Sequence, residues 1–193
     1  MIYSVGHSNH PIERFLGLLL PQGITVVADV RSTPYSRFNP QFRREKLQAA
    51  LGEVGIQYVF LGEELGARSQ DPDCYDSAGR VSYAKLARTA LFRKGIERLR
   101  TDMTGHRISL MCAEREPLEC HRTILVAREL AREGIAVSHI LADGSLETHE
   151  RAVQRLVASL KLTDTDLFSD STARIEQAYD AQAERIAYVK KGS

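Results

Sequence analysis

Residues 24–30 read ITVVADV. Apolar and β-branched side chains run through this stretch almost without interruption. That suits a parallel strand buried on both faces better than a strand alternating between core and water. Upstream, Pro21 and Gly23 stop a helix whose apolar positions Ile12, Phe15, Leu16 and Leu19 recur at helical spacing, with Ser8 or Asn9 as cap and Pro11 near the first turn. Before it, Ile2 to Val5 reads as a strand ending in the tight loop Gly6-His7-Ser8. Downstream of the quoted strand comes a loop from Arg31 to Pro40. Asn39-Pro40 then opens a helix that turns Phe42 and Leu47 inward and closes at Gly55. IQYVFL, residues 56–61, is a third strand.

The same alternation continues. Residues 62–80 are polar and broken by Gly, Pro, Asp and Ser; a loop of that length in a compact domain is usually functional or mobile. Residues 82–100 are helical, with Leu86, Ala90, Ile96 and Leu99 apolar, and RISLMC, 107–112, is a fourth strand. After the loop AEREPLE, a helix runs from about Cys120 to Glu133 and ends at Gly134, and Ala136 to Leu141 is a fifth strand. Residues 146–160 are helical, with Ala152, Leu156 and Leu160 on one side. Residues 164–170 read as a linker, and 174–189 as a final helix with Ile175, Tyr179, Ile186 and Tyr188 as docking residues. The expected fold is α/β: an open, mostly parallel five-stranded sheet with helices on both faces and a C-terminal helical extension. Residues 1–160 form the α/β domain, and 161–193 supply a linker and helix packed on it.

Bulk properties narrow the function classes. The chain has 193 residues, 43 % hydrophobic and 26 % charged, enough for one well-buried core and too ordered in composition for a disordered chain. The formal net charge of +1 provides no global field toward nucleic acid or a membrane surface. No apolar run approaches the roughly 18 residues of a membrane span. The start, MIYSVGHSNH, lacks the basic and apolar regions of a signal peptide, so a cytoplasmic location is expected. Cys74, Cys112 and Cys120 are too few and too odd for a disulfide framework and read as reduced thiols.

In an open parallel sheet, ligands bind outside the carboxyl ends of the strands. Reactive residue types concentrate at those predicted ends. His7 and Ser8 follow the first strand; Asp29, Arg31, Ser36, Arg37 and Asn39 the second; Arg68 the third; Cys112, Glu114, Cys120, His121 and Arg122 the fourth. Cationic groups at a helix start stabilise a thiolate or hold an anion, and Arg offers a planar donor fork for phosphate or carboxylate. Plainer readings stand beside these. Cys112 can be a small core residue, Asp29 and Arg31 a structural ion pair, His7 and His139 satisfied core histidines, and Arg37 and Arg68 solvated loop charges. Cys112, Cys120 and His121 have the spacing C-x7-C-H, which lacks the close pairing of common zinc sites. Adjacent Cys and His side chains diverge on a helix, so no metal is assigned. No P-loop, G-x-G-x-x-G or G-x-S-x-G is present, so ATP, NAD and serine-hydrolase chemistry find no support and no cofactor is expected.

The segments YSVGHSNHPIERF, VVADVRSTPYSRFNPQF, LGARS and LMCAEREPLECHR, in this order, resemble the domain of unknown function 488 family, from residue 2 to the tail AYDAQAERIAY. The usual Gly-Gly-Arg of the third-strand loop is here Gly66-Ala67-Arg68, which keeps the Arg. The resemblance implies a shared site and no particular reaction. Its motifs select the same residues: Cys112, His121 and His7 as catalytic candidates, and Ser8, Asp29, Arg31, Ser36, Arg37, Asn39, Arg68, Glu114, Cys120 and Arg122 as ligand-binding ones. DVR after the second strand, and a strand-Cys-loop-Arg-helix, are also similar to rhodanese sulfurtransferases, whose Cys accepts sulfur in a compact loop of N–H donors. The loop from Cys112 to Arg122 is longer and contains Pro117.

The leading reading is an enzyme for an anionic (phosphate- or carboxylate-bearing) small molecule or nucleotide, working by thiol- or His-dependent group transfer or hydrolysis. Arg31, Arg37 and Arg122 hold the anion, His121 or His7 handles protons, and Cys112 is the nucleophile. One alternative is a nucleotide or nucleic-acid binding module without catalysis, weakened by the near-neutral charge and by the lack of a basic-aromatic run. The other is a thiol-redox or metal-binding protein. No membrane partner is expected.

Overall fold

The computed structural model describes residues 1–162 and 171–190. A six-stranded sheet has the order β3-β2-β4-β1-β5-β6, with β1 Ile2–Gly6, β2 Val26–Asp29, β3 Gln57–Phe60, β4 Ile108–Cys112, β5 Val137–Ile140 and β6 Leu146–Thr148. The first five strands pair in parallel and β6 pairs antiparallel with β5. The fold class stands as read, with one correction. The expected five strands are six, because Asp143-Gly144 makes a hairpin turn: Gly144 adopts φ 98°, and Asp143 Oδ1 accepts from the Ser145 amide at 2.9 Å. Residues 146–148 are therefore extended. The helix read from Leu146 begins instead at His149 (α7, His149–Ser159), where Thr148 Oγ1 caps the Arg151 amide at 3.3 Å.

Side-chain alternation along the strands sorts the core into two layers. On one face Tyr3, Val5, Val27 and Met111 meet Phe15, Leu18 and Leu19 of α1 (Ile12–Leu19), Phe42, and Leu47 and Leu51 of α2 (Arg44–Glu53). On the other face Ile2, Val26, Ala28, Ile108 and Leu110 meet the remaining helices. These are α3 (Gly62–Leu65), α4 (Tyr83–Leu86), α5 (Ala90–Asp102), α6 (Arg128–Arg132), α7 and α8 (Ser171–Ile186). The single helix read over 82–100 is two, because both Ser82 and Thr89 cap new starts, accepting from the amides of Lys85 and Phe92. Neither Ser8 nor Asn9 caps α1; Pro11 holds the cap position and Ser8 turns with φ 49°. The stops at Gly23, Gly55 and Gly134 are left-handed glycines, as their positions demand.

Helix α8 ends at Ile186, so Tyr188 lies beyond it on a strap whose backbone pairs with residues 79–81: the Val81 amide donates to Tyr188 O at 2.9 Å and the Lys190 amide to Gly79 O at 2.8 Å. The linker read at 164–170 lies outside the described residues. Among the described residues no helix is long and apolar enough to cross a membrane.

The connection leaving β1 crosses one face by α1, whereas the one leaving β4 crosses the other by α6. Because β1 and β4 are neighbours in the sheet, their carboxyl ends open a crevice between diverging chains.

Candidate functional site

The crevice is built on a close approach. Gly6 pairs with Cys112, the His7 amide donates to Cys112 O and the Ser8 amide to Ala113 O, each at 2.9 Å. The loop leaving β4 then folds directly over Gly6: a Cβ there would lie 1.9 Å from the Glu114 carbonyl oxygen. Only glycine permits that crossing.

The loop returns to the next helix through Pro117–Glu119, and Cys120 keeps extended dihedrals (φ −138°, ψ 140°) while its carbonyl accepts from the Thr123 and Ile124 amides. Cys120 is thus the cap of a helical run from His121, π-helical over Arg122–Ala127, that continues as α6. The Arg122 amide donates to Cys120 Sγ at 3.4 Å, so the sulfur occupies the place of a capping oxygen. Sequence reasoning started the helix at Cys120 and expected adjacent Cys and His side chains to diverge. Extended Cys120 followed by helical His121 brings them together instead.

Cys112 Sγ lies 3.7 Å and Cys120 Sγ 3.9 Å from His121 Nδ1, and His121 Nε2 donates to Val30 O at 3.0 Å. That bond leaves Nδ1 facing both sulfurs. Glu114 Oε2 is 2.9 Å from Cys120 Sγ, within hydrogen-bond distance. All three of Cys112, Cys120 and His121 are buried. The pair of thiols splits in acidity. Burial opposes ionisation of Cys120, but the hydrogen bond from Cys112 and the positive Arg122 and His121 hold it well below the usual thiol range. Donation to Cys120, together with burial, pushes Cys112 up. Burial lowers His121, yet bonding to Cys120 and its negative charge outweigh that and raise it. Burial and the neighbouring sulfur raise Glu114.

A second cluster forms around Arg31. Asp29 grips Arg31 through Nε to Oδ1 (2.9 Å) and Nη2 to Oδ2 (2.6 Å), and Tyr58 donates to Asp29 Oδ2 at 2.8 Å. Arg31 Nη2 also donates to Phe42 O and Nη1 to His7 Nε2 at 3.1 Å. His7 donates from Nδ1 to Ser8 O at 2.7 Å and stacks on Phe42 at 4.2 Å. Burial, then the charge of Arg31, lowers His7 to about 4, so its ring is neutral and both nitrogens are engaged. The Asp29–Arg31 couple is a buried ion pair that orients Arg31 toward the crevice.

The two clusters border a cavity of about 700 Å³. Of the residues singled out from sequence, His7, Ser8, Arg31, Ser36, Asn39, Arg68, Cys112, Glu114, Cys120 and His121 line it. Three do not. Asp29 stands behind Arg31. Arg37 is exposed, its guanidinium 5.8 Å from the Phe38 ring centre. Arg122 is fully buried beneath the loop, its Nη1 donating to Glu114 O at 2.7 Å. An anion or carboxylate partner was expected for Arg122 at the helix start; backbone carbonyls take that place. Tyr83 and Tyr188 also line the cavity, and Arg68 lies over the Tyr188 ring at 4.6 Å. Neither tyrosine follows a strand, so the strand-end rule could not find them.

The sequence model of one family, described as Domain of unknown function DUF488, matches residues 11–128. The matched range holds both thiols and His121, but is shorter than the resemblance read from residue 2 to the tail; His7 precedes it and Tyr188 follows it. No curated protein and no solved structure matches the chain.

Proposed function

The chain belongs to the DUF488 family, and from that premise we propose that it is an enzyme acting on an anionic, phosphate- or carboxylate-bearing small molecule or nucleotide held in this cavity. The observation that carries the proposal is the meeting, in one cavity, of two thiols with Nδ1 of His121 and of a guanidinium oriented by a buried carboxylate. Arg31 and Arg68 hold the anion. This revises the assignment to Arg31, Arg37 and Arg122, because only Arg31 of those three reaches the cavity. The Cys112, Cys120 and His121 group faces the reacting atom, with Glu114 beside it for proton transfer.

Arg68→Ala tests the reading. Arg68 is exposed and outside the core, so the variant should keep its thermal stability and lose roughly tenfold or more in affinity for the nucleotide, phosphate or carboxylate found by ligand screening. Equal affinity in both proteins would refute the assignment.

A second reading, a nucleic-acid binding module without catalysis, is favoured by one observation. On the loop at the cavity lip Phe38 is 87 % and Tyr35 60 % exposed, beside the guanidinium groups of Arg37 and Arg43. Base stacking and phosphate contacts would give oligonucleotide binding that weakens steeply with salt and with Phe38→Ala; salt-independent binding would exclude it.

A further inference from the structure

We propose that Cys112, Cys120 and His121 are the protein ligands of a divalent metal ion of the zinc class, with the remaining coordination position open to the cavity. The proposal deepens the reading of this cavity as an active site, and rests on it only for what the ion would do there; the binding itself rests on ligand geometry.

Sγ of Cys112, Sγ of Cys120 and Nδ1 of His121 all lie within 4.8 Å of one another. Around a tetrahedral zinc with ordinary Zn–S and Zn–N lengths, each sulfur-to-nitrogen edge is about 3.6 Å. The observed edges are 3.7 Å and 3.9 Å. Both sulfur-to-nitrogen edges are therefore within a few tenths of an ångström of the ligated geometry.

Three further features match a metal centre and are not needed by a buried thiol pair. The His121 ring is fixed by donation from Nε2 to the Val30 carbonyl, which leaves Nδ1 as the nitrogen turned to the two sulfurs. A main-chain amide, that of Arg122, already donates to Cys120 Sγ, as amides do to metal-bound thiolates. And Arg122, buried with its Nε lacking a partner among the described residues, puts positive charge beside a group that becomes doubly thiolate. Two thiolates and an imidazole are soft-to-borderline donors, which selects zinc-class ions over magnesium or calcium.

Three protein ligands with a cavity at the fourth position is the pattern of a catalytic rather than a structural zinc. Glu114 Oε2, 2.9 Å from Cys120 Sγ, is a side-chain oxygen beside the ligand set. Binding converts each thiol to a thiolate and releases its proton to solvent. The ion would acidify a bound water toward a pKa of about 7 and supply a nucleophile for a phosphate or acyl centre held by Arg31 and Arg68.

The test uses the full chain, stripped with chelator under reductant and titrated with Co²⁺. One equivalent should give visible d–d absorption together with sulfur-to-cobalt charge transfer. Zn²⁺ should bleach both, and one bound zinc should protect Cys112 and Cys120 from alkylation in peptide mapping. Cys112→Ser and His121→Ala, checked for folding by circular dichroism, should each weaken Co²⁺ binding at least a hundredfold. Should either fail to fold, alkylation protection in the unaltered protein still decides. No absorption at stoichiometric Co²⁺, absorption without charge transfer, or equal alkylation of both thiols with and without zinc would overturn the proposal. Anion affinity lost in Arg68→Ala while metal binds normally reports on the cavity reading alone, so the two can fail separately.

Discussion

Arg122 separates two accounts of this site. The sequence reading has it hold the anion, so that its replacement lowers ligand affinity more than stability. The structure reverses that order, because the guanidinium touches no cavity surface and holds the loop that crosses Gly6. Arg122→Met keeps most of the stem and removes the charged head. It deletes one short bond, Nη1 to Glu114 O at 2.7 Å, and one long bond, Nη2 to Arg115 O at 3.4 Å. A hydrogen bond from a charged donor contributes about 1.5–3 kcal/mol, and a carbonyl left unpaired under the loop costs up to about 1–3 kcal/mol. Removing the unpartnered Nε returns part of this. The net loss is about 2–4 kcal/mol, and each kcal/mol lowers Tm by about 2–4 °C in a chain of this size. Thermal denaturation should therefore fall by roughly 5–15 °C, and Cys120, no longer set by its loop, should alkylate differently in mass mapping. An unchanged Tm with lost anion affinity would refute the placement of Arg122 and restore it as a ligand-binding residue.

Stability should also fall on acidification. His149, bonded to His139 and to Tyr179 OH and flanked by Glu150, is lowered by burial to about 4. Its folded pKa lies below its unfolded value of about 6.5, so its contribution is complete above 6.5 and is lost as pH falls toward 4, about 3 kcal/mol in all; urea midpoints that do not decrease between pH 7 and 4.5 would contradict this. Gly6→Ala places a Cβ 1.9 Å from Glu114 O and should cost about 3 kcal/mol while displacing the 113–120 loop, read as a lower Tm and altered thiol reactivity; a neutral substitution would mean that the crossing is looser. Asp29→Asn breaks a buried ion pair and should cost about 3–5 kcal/mol by denaturant unfolding, whereas Tyr58→Phe, which removes one bond to Asp29, should cost about 1 kcal/mol; equal effects would place the couple in water.

What was legible in the chain is what local pattern controls. Within ITVVADV, Val26–Asp29 is a buried strand because its side chains enter the core layers on both faces of the sheet, and glycines at 23, 55 and 134 stop helices because they take φ above 60°. Alternation of strands and helices then put the reactive residues at one edge of the sheet by topology alone. The sixth strand escaped because three residues carry too little pattern to compete with the helix that follows. It was the Asp143-Gly144 turn that marked it.

The rest depends on contacts far apart in sequence or on a single dihedral. No spacing links Arg68 to Tyr188, which meet because a strap beyond α8 pairs with residues 79–81. Arg122 looked like an anion binder because it opens a helix, but the loop preceding it folds back and offers carbonyls first. The largest consequence came from Cys120. Treated as helical, it points away from His121 and the metal reading collapses; extended, it caps the helix and turns its sulfur onto the same nitrogen that Cys112 faces. One residue's backbone thus decides whether C-x7-C-H is two unrelated thiols or a ligand set, and the helix boundary is the feature that sequence periodicity locates least well. A metal motif whose ligands straddle a helix start should therefore be judged by the ψ of the residue before the helix, not by spacing alone.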